Sequence, residues 1–162
     1  MRLFLAAAVF GLCTFYGFSA SSDLKKRVQL LSELSQMTAG MALEIGYTAP
    51  TLDELAQGCR GAFAQLLRQE LSETDDIHAA WSAATKRLSG YGFCGDEEAE
   101  LLLKMGAGLG TSDAEGQLSM LSMYREQLSQ LKTDAEERFR VKGKLMRSVG
   151  TLLGAGIAVL IV

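Results

Sequence analysis

Two uncharged apolar runs bracket this chain. Leu3–Ala20 reads LFLAAAVFGLCTFYGFSA, and Ser148–Val162 reads SVGTLLGAGIAVLIV. A helix needs about 20 apolar residues to cross a hydrocarbon core of ~30 Å, so both runs read as membrane segments. Between them lies a polar stretch that reads as helical throughout. This layout predicts a membrane-tethered helical module, with its function in what the middle touches rather than in what it converts.

The basic residues give the layout a direction. Lys25, Lys26 and Arg27 follow the first run, and Arg138, Arg140, Lys142, Lys144 and Arg147 precede the second. Positive charges that flank membrane segments stay cytoplasmic. The expected organisation is an N-terminal anchor over 1–21, a cytoplasmic helical domain over 22–147 and a C-terminal membrane segment over 148–162. The first run keeps a second reading, a signal peptide cut after Ser21, where Ser19 fills the small-residue position. The last run is short, about 22 Å at 1.5 Å per residue. Leu145 and Met146 lengthen it if Arg147 snorkels. Gly150, Gly154 and Gly156 have the small-residue spacing that lets membrane helices pack closely.

A single proline in 162 residues favours long helices. Charge is uneven: Thr51–Glu115 carries five basic against twelve acidic residues, whereas Gly116–Arg147 carries seven basic against four acidic. An acidic middle argues against nucleic acid, which needs a basic face, and suits a basic protein surface or plain solubility. Three cysteines without a C-x-x-C support neither a zinc site nor a redox motif.

The spacing predicts a first helix over 22–47, with Leu24, Val28, Leu31, Leu34, Met41 and Ile45 on one face. Pro50 ends it. Thr51-Leu-Asp-Glu54 is a capping box that opens a second helix reaching Leu71. A third opens at Thr74–Asp76 and buries Ile77, Trp81, Ala84 and Leu88. After the turn Gly90–Gly95, a fourth begins at Asp96 and ends at the glycine run 106–110. The last opens with a capping box at Ser112–Glu115 and runs unbroken to Arg147, with Leu121, Tyr124, Leu128, Leu131, Ala135, Arg138/Phe139, Lys142 and Leu145 as a seam. The predicted fold is all-α: a membrane-anchored antiparallel helical bundle of about five helices plus the terminal apolar segments.

Candidate chemistry is sparse. Gly106-Ala-Gly-Leu-Gly110 lacks a preceding strand and the Lys-Ser/Thr of a phosphate loop, and reads as helix punctuation. His78, the one histidine, has no cysteine nearby and reads as an ordinary, partly exposed residue. Glu33 and Glu44 lie eleven residues apart on one helix side and do not form a catalytic dyad by spacing. Asp96, Glu97, Glu98 and Glu100 read either as a solvated helix start or as a docking patch for a basic partner. Leu109, Gly110 and Asp113 are a second candidate contact. Met120 and Met123 read as core filler or as a soft binding surface; Tyr47 and Trp81 read as core.

Five motifs in order carry a resemblance: Glu44-Ile-Gly-Tyr47-Thr-Ala-Pro50-Thr-Leu52, Ala80-Trp81, Leu109-Gly110-Thr-Ser-Asp113, Gln117, and Lys144-Leu-Met-Arg147-Ser-Val-Gly150-Thr-Leu-Leu-Gly154. Together they resemble the stage III sporulation protein AB family of endospore-forming bacteria, over nearly the whole chain. Ala49 and Thr51 depart from the Thr-Pro-Leu that the family commonly shows, and the Gly90–Gly95 turn is unusually glycine-rich. The resemblance implies a membrane component of the complex joining mother cell and forespore, on the mother-cell side in the outer forespore membrane. Its helical domain is similar to the cytoplasmic domains of the platform protein of type II secretion and type IV pilus machines. It implies a cytosolic secretion-type ATPase, stage III sporulation protein AA, and other membrane subunits as partners. Neither cofactor, metal, nucleic acid nor small-molecule substrate is expected. The competing expectation is a membrane-anchored sensor or adaptor domain that binds a ligand or partner outside the cytoplasm.

Overall fold

The first helix ends at Thr48, two residues before Pro50, whose ring cannot continue a helix interior. The computed structural model describes the backbone of residues 2–48, 50–143 and 148, and the side chains of 22–48, 50–142 and 148. The order is α1 Arg2–Thr48, α2 Leu52–Gly58, α3 Ala62–Leu71, α4 Ile77–Ser89, α5 Asp96–Gly108 and α6 Ala114–Arg138, closed by a π-helical turn at Phe139–Gly143. The described residues hold no strand, so the all-α class is the observed class.

The chain divides into two compact units. One is Gln29–Lys132; the other is formed by the two ends, 1–28 and 133–162. Among the described residues no helix is long and apolar enough to cross a membrane. The expected anchor over 1–21 falls on the first turns of α1, whose side chains lie outside the described residues. Residues 149–162 also lie outside them, and with them Gly150, Gly154 and Gly156.

In the unit Gln29–Lys132, α1 buries Leu31, Leu34, Met37, Met41 and Ile45, each contributing about 2 kcal/mol relative to exposure. Thr38 joins them because its hydroxyl donates to the Leu34 carbonyl at 2.8 Å, which satisfies the one polar group on that stripe. Phe63 of α3 meets Trp81 of α4 edge to face, centroids 4.8 Å apart, and Arg87 bridges from α4 to Glu70 of α3 at 2.7 Å. From α6, Leu121, Tyr124 and Leu128 are buried as the seam predicted. Gly110, shortly before α6, packs on Leu52, just past the end of α1. Farther along α6, Lys132 Nζ lies 3.5 Å from Ser32 Oγ.

The structure corrects three helix expectations. The stretch 51–71 is two helices, not one. Cys59 is extended, at φ −63° and ψ 145°, and Gly61 takes φ 107°, a conformation open to glycine. The break is tied down at long range: Glu33 Oε2 accepts from the Ala62 N–H at 2.9 Å and caps α3. The glycine run does not punctuate at Gly106, which is helical; α5 continues to Gly108. The last helix is capped by Asp113, whose Oδ1 accepts from the Gly116 N–H at 2.9 Å, not by Ser112. It gives way to the π-helical turn at Phe139 rather than continuing unbroken.

The α2 capping box is present as read. Glu54 N–H donates to Thr51 Oγ1 at 3.4 Å, and Thr51 N–H donates to Glu54 Oε2 at 2.8 Å. Thr51→Ala is expected to lower the unfolding free energy by about 1 kcal/mol. The Thr51 backbone N–H, and then its hydroxyl, hold the Glu54 carboxyl below its ordinary value of 4.5. A depressed folded value stabilises above the unfolded value and is lost as pH falls through the folded one. The stability gap between the native chain and Glu54→Gln, measured by urea unfolding, should therefore close as pH drops below about 4.5.

Candidate functional site

The acidic cluster and the 109–113 turn sit at opposite ends of α5, a helix of 13 residues, or about 20 Å at 1.5 Å per residue. They do not form one surface. Asp96, Glu97 and Glu98 occupy the first turn, where the helix dipole favours negative charge. Asp96 and Glu97 are exposed, and Glu100 is exposed and paired with Lys104 at 2.7 Å. Glu98 is different: it is 0% exposed. A carboxylate there is out of reach of a docking protein, so the cluster presents three acids at the surface rather than four.

The turn after α5 is mostly structural. Leu109 is 3% exposed and belongs to the core. Gly110 takes φ 75°, and a Cβ there would lie 2.9 Å from Leu52. The Gly108 carbonyl accepts from Thr111 Oγ1 at 2.8 Å and from Gln117 Nε2 at 3.0 Å. Asp113 caps α6. Of these three candidates, Asp113 has an exposed side chain free of core packing, and its carboxylate already serves the cap.

Trp81 is core, as read: it is 2% exposed and its Nε1 donates to the Leu102 carbonyl at 2.8 Å. Tyr47 is not. It is 86% exposed at the end of α1, because α1 ends one residue later, before the chain turns away. His78 Nδ1 bonds the Gly106 carbonyl at 2.9 Å; a carbonyl can only accept, so this nitrogen carries the proton. Met123 is exposed, and Met120 packs on Gly108. Among the described residues no three of His, Cys, Asp or Glu are placed to hold a metal ion.

The sequence reading missed a pocket of about 380 Å³ between α1 and the α2–α3 segment. Met37, Met41 and Leu55 supply its apolar wall, and Glu33 and Glu44 line it from α1. The eleven-residue spacing that placed both glutamates on one helix side was the available signal. What faces that side depends on the break at Cys59–Gly61, which helical periodicity does not show. Glu33 is committed: it accepts from Ala62 N–H at 2.9 Å and from Gln29 Nε2 at 3.0 Å. No hydrogen bond or ion pair among the described residues reaches the Glu44 carboxylate. Burial, and next the Glu44 charge, push the Cys59 thiol up to about 11. The thiol is therefore protonated near neutral pH and a poor nucleophile.

No curated protein matches the chain, and no solved structure matches it. The family model for stage III sporulation protein AB matches residues 2–162. Because that match takes in both apolar ends and every helix between them, this chain belongs to the stage III sporulation protein AB family.

Proposed function

We propose that this chain is a non-enzymatic, membrane-anchored platform subunit of a sporulation secretion-like channel between mother cell and forespore. The observation that carries the reading is the family match over residues 2–162, on a chain whose two apolar runs are each flanked by basic residues. Those flanks favour a helical domain facing the mother-cell cytosol from the outer forespore membrane. There it docks a cytosolic secretion-type ATPase, stage III sporulation protein AA, while the terminal segments assemble with other membrane subunits. The exposed acids Asp96, Glu97 and Glu100 offer a basic partner surface a complementary charge.

Two measurements test this. A reporter inserted in the Gly90–Gly95 turn, whose Tyr91 is exposed, is expected to work only if it is a cytosolic reporter. Activity of alkaline phosphatase at that position would place the domain outside and favour the sensor reading. The triple variant Asp96→Lys, Glu97→Lys, Glu100→Lys is expected to lose at least tenfold in pull-down of the ATPase, a difference of about 1.4 kcal/mol. Undiminished capture would reject this surface.

A further inference from the structure

The pocket beside α1 has an unused charge, and exposed apolar side chains follow it along α1. Glu44 lines it without a hydrogen bond or ion pair to its carboxylate among the described residues. It stands in the last turn of α1, which ends at Thr48, where the negative end of the helix dipole also attracts a cation. Gly40 lies one turn before Glu44, and a Cβ added at Gly40 meets nothing within 4 Å. The missing side chain leaves the pocket open along α1. Tyr47 follows at the i+7 position from Gly40 and the i+3 position from Glu44, hence on the same helix face. Leu43, 62% exposed, and Tyr47, 86% exposed, are the exposed large apolar side chains of the last turns of α1.

We propose that this pocket is the docking site for an arginine side chain presented by a partner protein. The aliphatic stem lies along Met37, Met41 and Leu55, and the guanidinium meets Glu44. Tyr47 and Leu43 cover the partner's flanking residues, and the Tyr47 ring offers a face to the cation. Size and charge select this occupant. A volume of 380 Å³ is near the lower end of the roughly 300–1,000 Å³ of ligand pockets, which suits a side chain better than a large cofactor. One uncommitted carboxylate is too few for calcium, which takes about 6–8 oxygen ligands, but enough for a planar, bidentate guanidinium. Arg60 is the one cation among the lining residues, and it forms no ion pair with Glu44. This site is separate from the acidic cluster of α5 and stands whether or not that cluster docks an ATPase.

The test uses the purified full chain in detergent micelles, labelled with 15N and titrated with N-acetylarginine methylamide. The uncharged citrulline analogue is the control. The arginine probe is expected to give saturable shifts at the Gly40 and Gly58 amides, with citrulline at least tenfold weaker. Glu44→Gln should remove that preference. Gly40→Leu fills the open space and should abolish the shifts without lowering the melting temperature, since leucine is a better helix former than glycine. Equal response to both probes, no saturable response, or shifts that persist in Gly40→Leu would overturn the proposal.

Discussion

Gly106→Ala is expected to lower the unfolding free energy by about 3 kcal/mol, although it replaces a helical glycine with the best helix former. Propensity alone predicts the opposite, a gain of about 1 kcal/mol. Packing decides. A Cβ on Gly106 would overlap the Trp81 ring at Cδ1, and also at Nε1, where the distance would be 2.5 Å. The ring has nowhere to retreat. It is 2% exposed, its Nε1 is tied to the Leu102 carbonyl, and Phe63 stands edge-on at 4.8 Å. Overpacking of a rigid core site costs about 1–3 kcal/mol and occasionally more, and here the strained contact also moves the Gly106 carbonyl that His78 bonds. Thermal unfolding followed by circular dichroism should show a fall of roughly 15 °C, from about 4–8 °C per kcal/mol for a domain of this size. The double variant Trp81→Phe, Gly106→Ala should recover part of the loss, because the smaller ring leaves room for the methyl group. If Gly106→Ala alone melts at or above the native temperature, the close approach of α5 to Trp81 is wrong.

Glu98→Lys is expected to be the other severe change, at about 3–5 kcal/mol, the cost of leaving an uncompensated charge in the interior. Glu97→Lys and Glu100→Lys, one and two residues away on the same helix, should cost less than about 1 kcal/mol each, the loss of a dipole contact or an exposed ion pair. The contrast follows from position: Glu98 is 0% exposed while its neighbours are in solvent. It also changes how α5 must be probed. A charge-reversal variant that includes Glu98 is expected to unfold the domain, so a docking experiment cannot use it. Equal melting of Glu97→Lys and Glu98→Lys would show that Glu98 reaches solvent.

What was legible in the sequence was what is settled within about one helical turn. The Thr51–Glu54 box is a contact between residues three apart, and both of its hydrogen bonds formed. The aromatic turn Gly90–Gly95 closes on itself, with Tyr91 and Phe93 stacked at 5.5 Å. The three–four apolar spacing found the buried faces of α1, α4 and α6, since a helix fixes which side chains share a face. The readings failed where a residue's fate depends on a distant partner. Tyr47 has the composition of a core residue, but α1 ends before another helix covers it. Glu98 sits among exposed acids in sequence, and the helix turns it inward. Ser112 and Asp113 are equally good caps on paper, and Gln117, which donates to Ser112 Oγ at 3.1 Å, engages the serine instead.

The sequence by itself therefore determined the all-α class, the apolar ends with their basic flanks, the turns and most helix faces. Each of these rests on composition or on interactions between near neighbours. The tertiary structure alone decided that Glu33 caps a helix 29 residues away, that Gly106 must stay bare for Trp81 to fit, and that Glu44 faces a pocket. The physical reason is the same in all three: the partner is brought by chain folding, and a helical period says which way a side chain points but not what it meets.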